Sequence, residues 1–414
     1  MNIFIRNISQ LLTLAPGGNR TRIGPQMREL GIVTDGAVLC REGRVAWVGK
    51  TGEFTGPLPD DMTVLDGTGM VVLPGFVDSH THAMFAGSRE REFALRSEGA
   101  TYQDIAGQGG GILSTVSQVR KASKRELKHS TSRYLTEMLR HGTTTAEIKS
   151  GYGLAMETEV TMLEALRELR DEELSGVVPT FLGAHALPPE FAGNLPGYVA
   201  LLVERLLPYI ARKNLAVFCD VFCEQGYFGL EEAETILSAA KVLGLKLKVH
   251  ADELTSMGGA ELAARLGAVS ADHLEKISGR GVEALAEAGV VAGLLPGVSF
   301  SLNHGYAPAR RLIDAGVPVA IASDFNPGSC MSFSMPLMMT IACTQMRMTP
   351  EEALTAATIN GAAALGLSAT HGSIEPGKQA DMILASVPDY RFLAYHFGVN
   401  HVRSVIKNGT LLEL

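Results

Sequence analysis

The stretch Leu73-Pro74-Gly75-Phe76-Val77-Asp78-Ser79-His80-Thr81-His82 decides the fold of this chain. A short apolar run ends in two histidines at i and i+2. On an extended backbone that spacing points both side chains to the same face, so both imidazoles can reach one ion. A lone His-x-His is a weak signal, because a solvated pair looks the same. Its weight comes from what lies downstream.

Counting 71–77 as the first, eight apolar strand-like runs follow one another, at 143–148, 177–182, 218–222, 245–249, 268–271, 290–295 and 317–322. The stretches between them, such as 230–242 and 258–266, carry Ala, Leu and Glu three and four apart, the helical period. Eight strand-then-helix units in succession predict an α/β chain folded as a (β/α)8, TIM-like barrel. Seven of the runs end on titratable groups. His80 and His82 end the first, Glu147 and Lys149 the second, His185 the third and Glu224 the fourth. His250, Asp252 and Glu253 end the fifth, Asp272 and His273 the sixth, and Asp324 the eighth. Barrel strands converge on one mouth at their C-terminal ends, where catalytic groups sit. Polar residues often end strands, but that alone poorly explains why five of the 11 histidines fall at these positions.

The two chain ends read differently. Residues 35–40 and 44–49 flank a turn at 41–43 as a β-hairpin, and 380–384, 402–406 and the Asn408-Gly409 turn repeat that style. Neither end is long enough for a core of its own. They are expected to build one small β-sandwich-like domain, 1–68 with 372–414, beside a barrel at 69–371.

Composition excludes several classes. Hydrophobic residues are 46% and charged residues 19% of 414, the balance of a well-buried globular enzyme rather than a disordered or coiled-coil chain. A net charge of -8 provides no global basic field for nucleic acid or an anionic membrane surface. No apolar run approaches the ~18 residues of a membrane span, and the first residues are broken by Arg6, Asn7 and Gln10 in a way no secretion leader is. Five scattered cysteines are not a disulfide framework, so a cytoplasmic setting is expected. Cys219 and Cys223 sit in an apolar run and read as buried strand residues. The methionines from Met331 to Met348 read as core filling. A homodimer is the expected assembly on general grounds, as two-fold pairs are the commonest.

Three neutral imidazoles, His80, His82 and His250, with the Asp324 carboxylate form an N3O donor set. It suits one divalent or trivalent ion per subunit, zinc or iron. Hydrolysis or hydrolytic deamination is the chemistry such a site performs. No Gly-x-Ser-x-Gly elbow or dinucleotide fingerprint competes with it, and 372–379 misses the last position of a phosphate loop.

These residues resemble the amidohydrolase superfamily, in which the first strand carries His-x-His, the fifth and sixth carry His, and the eighth carries Asp. Further segments are similar to the imidazolonepropionase family within it: Phe85-Ala86-Gly87-Ser88-Arg89, Gly109-Gly110-Gly111-Ile112, Lys149-Ser150-Gly151-Tyr152-Gly153-Leu154, Thr180-Phe181-Leu182-Gly183-Ala184-His185, His250-Ala251-Asp252-Glu253 and Ser323-Asp324-Phe325-Asn326-Pro327-Gly328. The resemblance spans essentially the whole chain. It implies opening of 4-imidazolone-5-propanoate to N-formimidoyl-L-glutamate in histidine degradation. Relatives with two metals place a carboxylated Lys at the fourth strand's end. Cys223-Glu224 stands there instead, which favours a single metal, with Lys149 kept as a group behind the ligands.

The implied roles follow from that substrate. Arg89 would fork onto the propanoate carboxylate, with Tyr102 beside it. Tyr152, between two glycines, would sit on a loop able to close over the ligand. His185 would hydrogen-bond the ring carbonyl, and Asn326, Gly328 and Ser329 would contact ring and product. Glu253 would deliver a proton to the departing nitrogen, Asp324 would take one from the attacking water, and His273 would orient it. The alternative is a related amidohydrolase that deaminates an aminated heterocycle in the manner of cytosine or guanine deaminases. A metal-free barrel kept as a binding scaffold is the third reading.

Overall fold

At Gly75 the chain changes sheets. In the computed structural model, which describes residues 2–15, 21–100, 110–172 and 176–413, Val71–Pro74 and Phe76–Asp78 are separate strands of separate sheets. The single strand expected over 71–77 is therefore two. The Gly75 amide donates to Asp381 O at 3.0 Å, in one sheet, and the next amide, of Phe76, donates to Gly142 O at 2.9 Å, in the other. A Cβ at Gly75 would lie 2.2 Å from Thr144 Oγ1, so no larger residue fits the crossover.

The barrel strands are numbered here in chain order: β1 Phe76–Asp78, β2 Thr143–Lys149, β3 Gly176–Ala184, β4 Phe218–Cys223, β5 Lys246–Ala251, β6 Ser270–His273, β7 Val291–Leu294 and β8 Val319–Ile321. Each pairs in parallel with its sequence neighbour. The ring closes just past the ends of β8 and β1. There Asp324 N donates to His80 O and His82 N to Phe325 O, both at 3.0 Å. Helices fill the crossovers. Lys124–Arg140, for example, starts on a Ser123/Glu126 capping box and turns Leu127, Leu135 and Met138 inward.

Two further sheets come from the chain ends. One runs Arg44–Lys50, Gly36–Arg41, Ile3–Ile8, Thr63–Asp66. The other runs Thr410–Glu413, Val402–Lys407, Met382–Ala385, Val71–Pro74, Gln10–Leu12, Ile32–Val33, drawing on both ends of the chain. The period-two alternation of the second sheet tells what it separates. Val72, Met382 and Leu384 pack with Ile3, Ile5 and Val38 of the first sheet, whereas Val71, Leu73 and Ile383 join the large core that includes the barrel. Asn408 and Gly409 both hold positive φ, 50° and 69°, as a two-residue hairpin turn requires.

All five cysteines are free, and Cys219 and Cys223 are buried on β4. Met335, Met338, Met339, Met346 and Met348 are core residues, and Met331 is exposed. Among the described residues no helix is long and apolar enough to cross a membrane.

Candidate active site

The four expected metal ligands converge at the barrel mouth. His82 Nε2 is 3.2 Å and His80 Nε2 3.5 Å from the same oxygen of Asp324, Oδ1. His250 Nε2 is 3.4 Å from His82 Nε2. All four side chains are buried, and neither His80 Nε2 nor Asp324 Oδ1 has a hydrogen-bond partner. Burial holds the imidazoles of His80 and His82 well below the usual histidine range, leaving them neutral. Lone pairs packed this closely on buried side chains fit a cation among them, and the N3O donor set suits zinc or iron.

What lies behind these side chains fixes their orientation. Asp272 Oδ2 is 2.7 Å from His80 Nδ1, and Asp220 Oδ2 is 3.0 Å from His250 Nδ1, so each ring turns Nε2 into the site. These carboxylates are in turn tied to lysines. Lys149 Nζ is 2.7 Å from Asp220 and 2.8 Å from Glu147. Lys248 Nζ is 3.4 Å from Asp272 and 3.6 Å from Glu147. All five groups of this network are buried within the barrel. Lys149 thus stands behind the ligands as expected, but Asp220 and Lys248 went unassigned in the sequence. Their signal was available: a charge inside an apolar run, Lys248 two residues before a site histidine, can only point inward with it.

The backbone is distorted at the same place. His273 and Asp324 hold φ of 79° and 48°. Non-glycine residues in that region cost on the order of 1–3 kcal/mol each and cluster at functional sites. His273 Nε2 lies 3.6 Å from Glu253, and its Nδ1 lies 3.8 Å from the buried Glu275. Burial, with the like charges of Asp324 and Glu224, pushes the Glu253 carboxyl up to about 8. Two other strand-end acids have structural work. Asp252 accepts four amides from Met257 to Ala260, at the start of a helix, and Glu224 accepts the amides of Leu254 and Thr255, fixing the loop that carries Glu253.

A cavity of about 840 Å³ opens above the ligands, lined among others by Arg89, Tyr152, His185, Glu253, His273, Asn326, Gly328 and Ser329. Tyr152 is held by the backbone around it, since Glu159 reaches under the loop and accepts the amides of Gly151, Gly153 and Leu154. Tyr102 lies outside the described residues.

Three expectations need correction. His185 Nδ1 lies 3.0 Å from Gly151 O. A carbonyl only accepts, so the proton is on Nδ1. Burial keeps the ring neutral, leaving Nε2 with a lone pair that can accept an N–H but cannot donate to a carbonyl. Asn326 is also consumed locally. Its Oδ1 accepts the amides of Gly328 and Ser329, both at 2.8 Å, while Nδ2 donates to Asp324 O and Ser329 Oγ, both at 2.7 Å. With two lone pairs and two hydrogens used, Asn326 shapes the turn rather than presenting a group to a ligand. For the same reason the Gly328 amide is already spent, and the hydroxyl proton of Ser329 is the donor the turn has left. Arg89, finally, is not a free fork: Nε and Nη2 both donate to Glu92 Oε2, at 2.9 and 2.7 Å.

A closed parallel barrel with an N3O donor set at its C-terminal mouth defines a class, and the amidohydrolase family model matches residues 71–412. The chain belongs to that family. Solved structures agree at the level of fold. A triazine hydrolase from Arthrobacter aurescens superposes with a TM-score of 0.76 at 18% identity, covering 100% of this chain and 94% of that one. A zinc-bound adenosine deaminase from Xanthomonas campestris gives 0.72 at 20% identity, covering 99% and 92%. Within the family, the chain belongs with the imidazolonepropionases. It is 50% identical to that of Parabacteroides distasonis over 99% of this chain and 98% of the relative, and 46% identical to that of Alkaliphilus metalliredigens over 100% and 98%.

Proposed function

We propose that this chain is a hydrolase that opens the ring of 4-imidazolone-5-propanoate, giving N-formimidoyl-L-glutamate. Water adds its oxygen to the ring carbonyl carbon, the adjoining C–N bond breaks, and the freed nitrogen takes a proton. The observation that carries this reading is full-length similarity to imidazolonepropionases at 45–50% identity. Deaminases share only the fold, at 17–20% identity.

His80, His82, His250 and Asp324 would hold one zinc or iron ion, which when bound lowers the pKa of a coordinated water from 15.7 to about 7 and so supplies hydroxide at neutral pH. Asp324 accepts the proton that the attacking water gives up. His273, kept neutral by burial, orients that water. Glu253 holds its proton at neutral pH and gives it to the departing nitrogen, as a general acid tuned near the working pH should. His185 accepts a ring N–H on Nε2, and Tyr152 walls the ring in. The guanidinium of Arg89 meets the propanoate, and Ser329 donates from its hydroxyl. The five free cysteines suit a cytoplasmic setting.

The test is turnover of 4-imidazolone-5-propanoate by purified, metal-loaded protein, together with metal analysis. Product formation, lost with the bound metal in His80→Ala, is the expected result. A folded, metal-loaded protein that leaves this substrate intact but releases ammonia from an aminated heterocycle would replace the reading with the deaminase one.

A further inference from the structure

One wall of the cavity is built by the helix Glu90–Ser97 and the turn at 326–329. Here Arg89 and Glu92 form a pair only 11% and 9% exposed. Glu92 is fully engaged, since its second oxygen accepts the Gly111 amide at 3.0 Å. Such a pair is electrically neutral. A carboxylate arriving at the remaining edge of Arg89 is attracted by the guanidinium and repelled by Glu92 just behind it, and in a poorly solvated pocket both forces are felt.

A second guanidinium faces the same cavity. Arg96, two helical turns beyond Arg89, donates Nη1 to Gly328 O at 3.0 Å. Gly328 is also where Arg89 rests, because a Cβ there would lie 2.1 Å from Arg89 Nη1. The two guanidinium groups therefore bracket one residue of the turn. Burial first, and then nearby Arg89, pull the pKa of Arg96 down. Among the described residues no carboxylate forms an ion pair with it. Arg89, Glu92 and Arg96 together carry +1.

We propose that Arg96 is a specificity-determining residue, and that the Arg89–Glu92–Arg96 group, with its single excess positive charge, selects a substrate whose tail carries one carboxylate. This rests on the functional reading above and goes beyond it. Arg89 alone, neutralised by Glu92, gives the tail only the hydrogen bonds of its remaining edge, without net charge. Arg96 supplies the charge, and its hold on Gly328 keeps both cations on the same side of the tail.

The test compares 4-imidazolone-5-propanoate with its uncharged carboxamide in the metal-loaded wild type, Arg96→Gln and Arg96→Lys. The wild type should favour the carboxylate. Arg96→Gln should lose about tenfold or more of that preference, one decade being ~1.4 kcal/mol, through KM, with kcat changing by less than about threefold. Arg96→Lys keeps the charge and should retain most of the preference. If Arg96 merely braces Gly328, both substrates suffer equally and Lys does not rescue, and the proposal is overturned. Calorimetric binding of imidazole-4-propanoate and its amide makes the same comparison without turnover. A wild type that binds the acid in preference to the amide but does not hydrolyse the imidazolone would sink the functional reading and leave this one standing. A wild type without that preference would sink this one. Circular dichroism of each variant separates loss of fold from loss of charge.

Discussion

Asp272 Oδ2 stands 2.7 Å from His80 Nδ1, with both side chains buried. The contact fixes which nitrogen of His80 carries the proton, and so which one can ligate. Replacing Asp272 with Ala frees the ring to rotate and removes the acceptor. Metal affinity should fall by roughly 10- to 100-fold, the usual cost of losing a partner behind a ligand. Competition against a chromophoric chelator measures it, and unchanged affinity would remove Asp272 from the metal's support.

Lys149 lies between two acids, 2.8 Å from Glu147 and 2.7 Å from Asp220, with none of the three side chains exposed. Lys149→Met keeps much of the volume and removes the charge, stranding both carboxylates away from water. The expected loss is about 3–5 kcal/mol of stability, read from urea unfolding of the metal-free protein. A change below about 1 kcal/mol would mean that Lys248 alone balances the network.

Gly328→Ala is a small substitution with a directed effect. Its methyl would meet Arg89 Nη1 at 2.1 Å, and Glu92 holds the other edge of that guanidinium. Something must shift, and the end of the Arg89 side chain is what can. KM for the imidazolone should rise by about tenfold or more while kcat and the melting temperature stay close to wild type. A fall in kcat at unchanged KM would place the strain on Asp324 instead.

The pH profile follows from Glu253. Its carboxyl is raised to about 8, and in the mechanism proposed above the protonated form is the donor. The rate should therefore fall about tenfold per unit above that value, as the proton is lost. Glu253→Gln should reduce kcat by roughly 10²- to 10⁴-fold and abolish this alkaline limb. Persistence of the limb in the variant would assign it to another group.

The sequence alone determined the barrel and named the residues proposed to hold a metal. Strand and helix periods are carried by neighbouring residues, and His80, His82, His250 and Asp324 each sit where a run of apolar residues stops. Asp220 and Lys248 show a middle case, where the charge inside an apolar run is visible but its partner is not. The partners belong to tertiary structure, because they are far apart along the chain: His80 and Asp272 are 192 residues apart, and Lys149 and Asp220 are 71. The same holds for the sheet change at Gly75, which depends on Thr144 and Asp381. Arg89 is different, because the Glu92 that cancels its charge is only three residues further on, a local i,i+3 pair. Which atom of His185 or Asn326 remains for a ligand depends on hydrogen bonds already made, to Gly151 and within the 326–329 turn. Local pattern names the residues that can act. The bonds they form on folding decide which of their atoms are still free to do so.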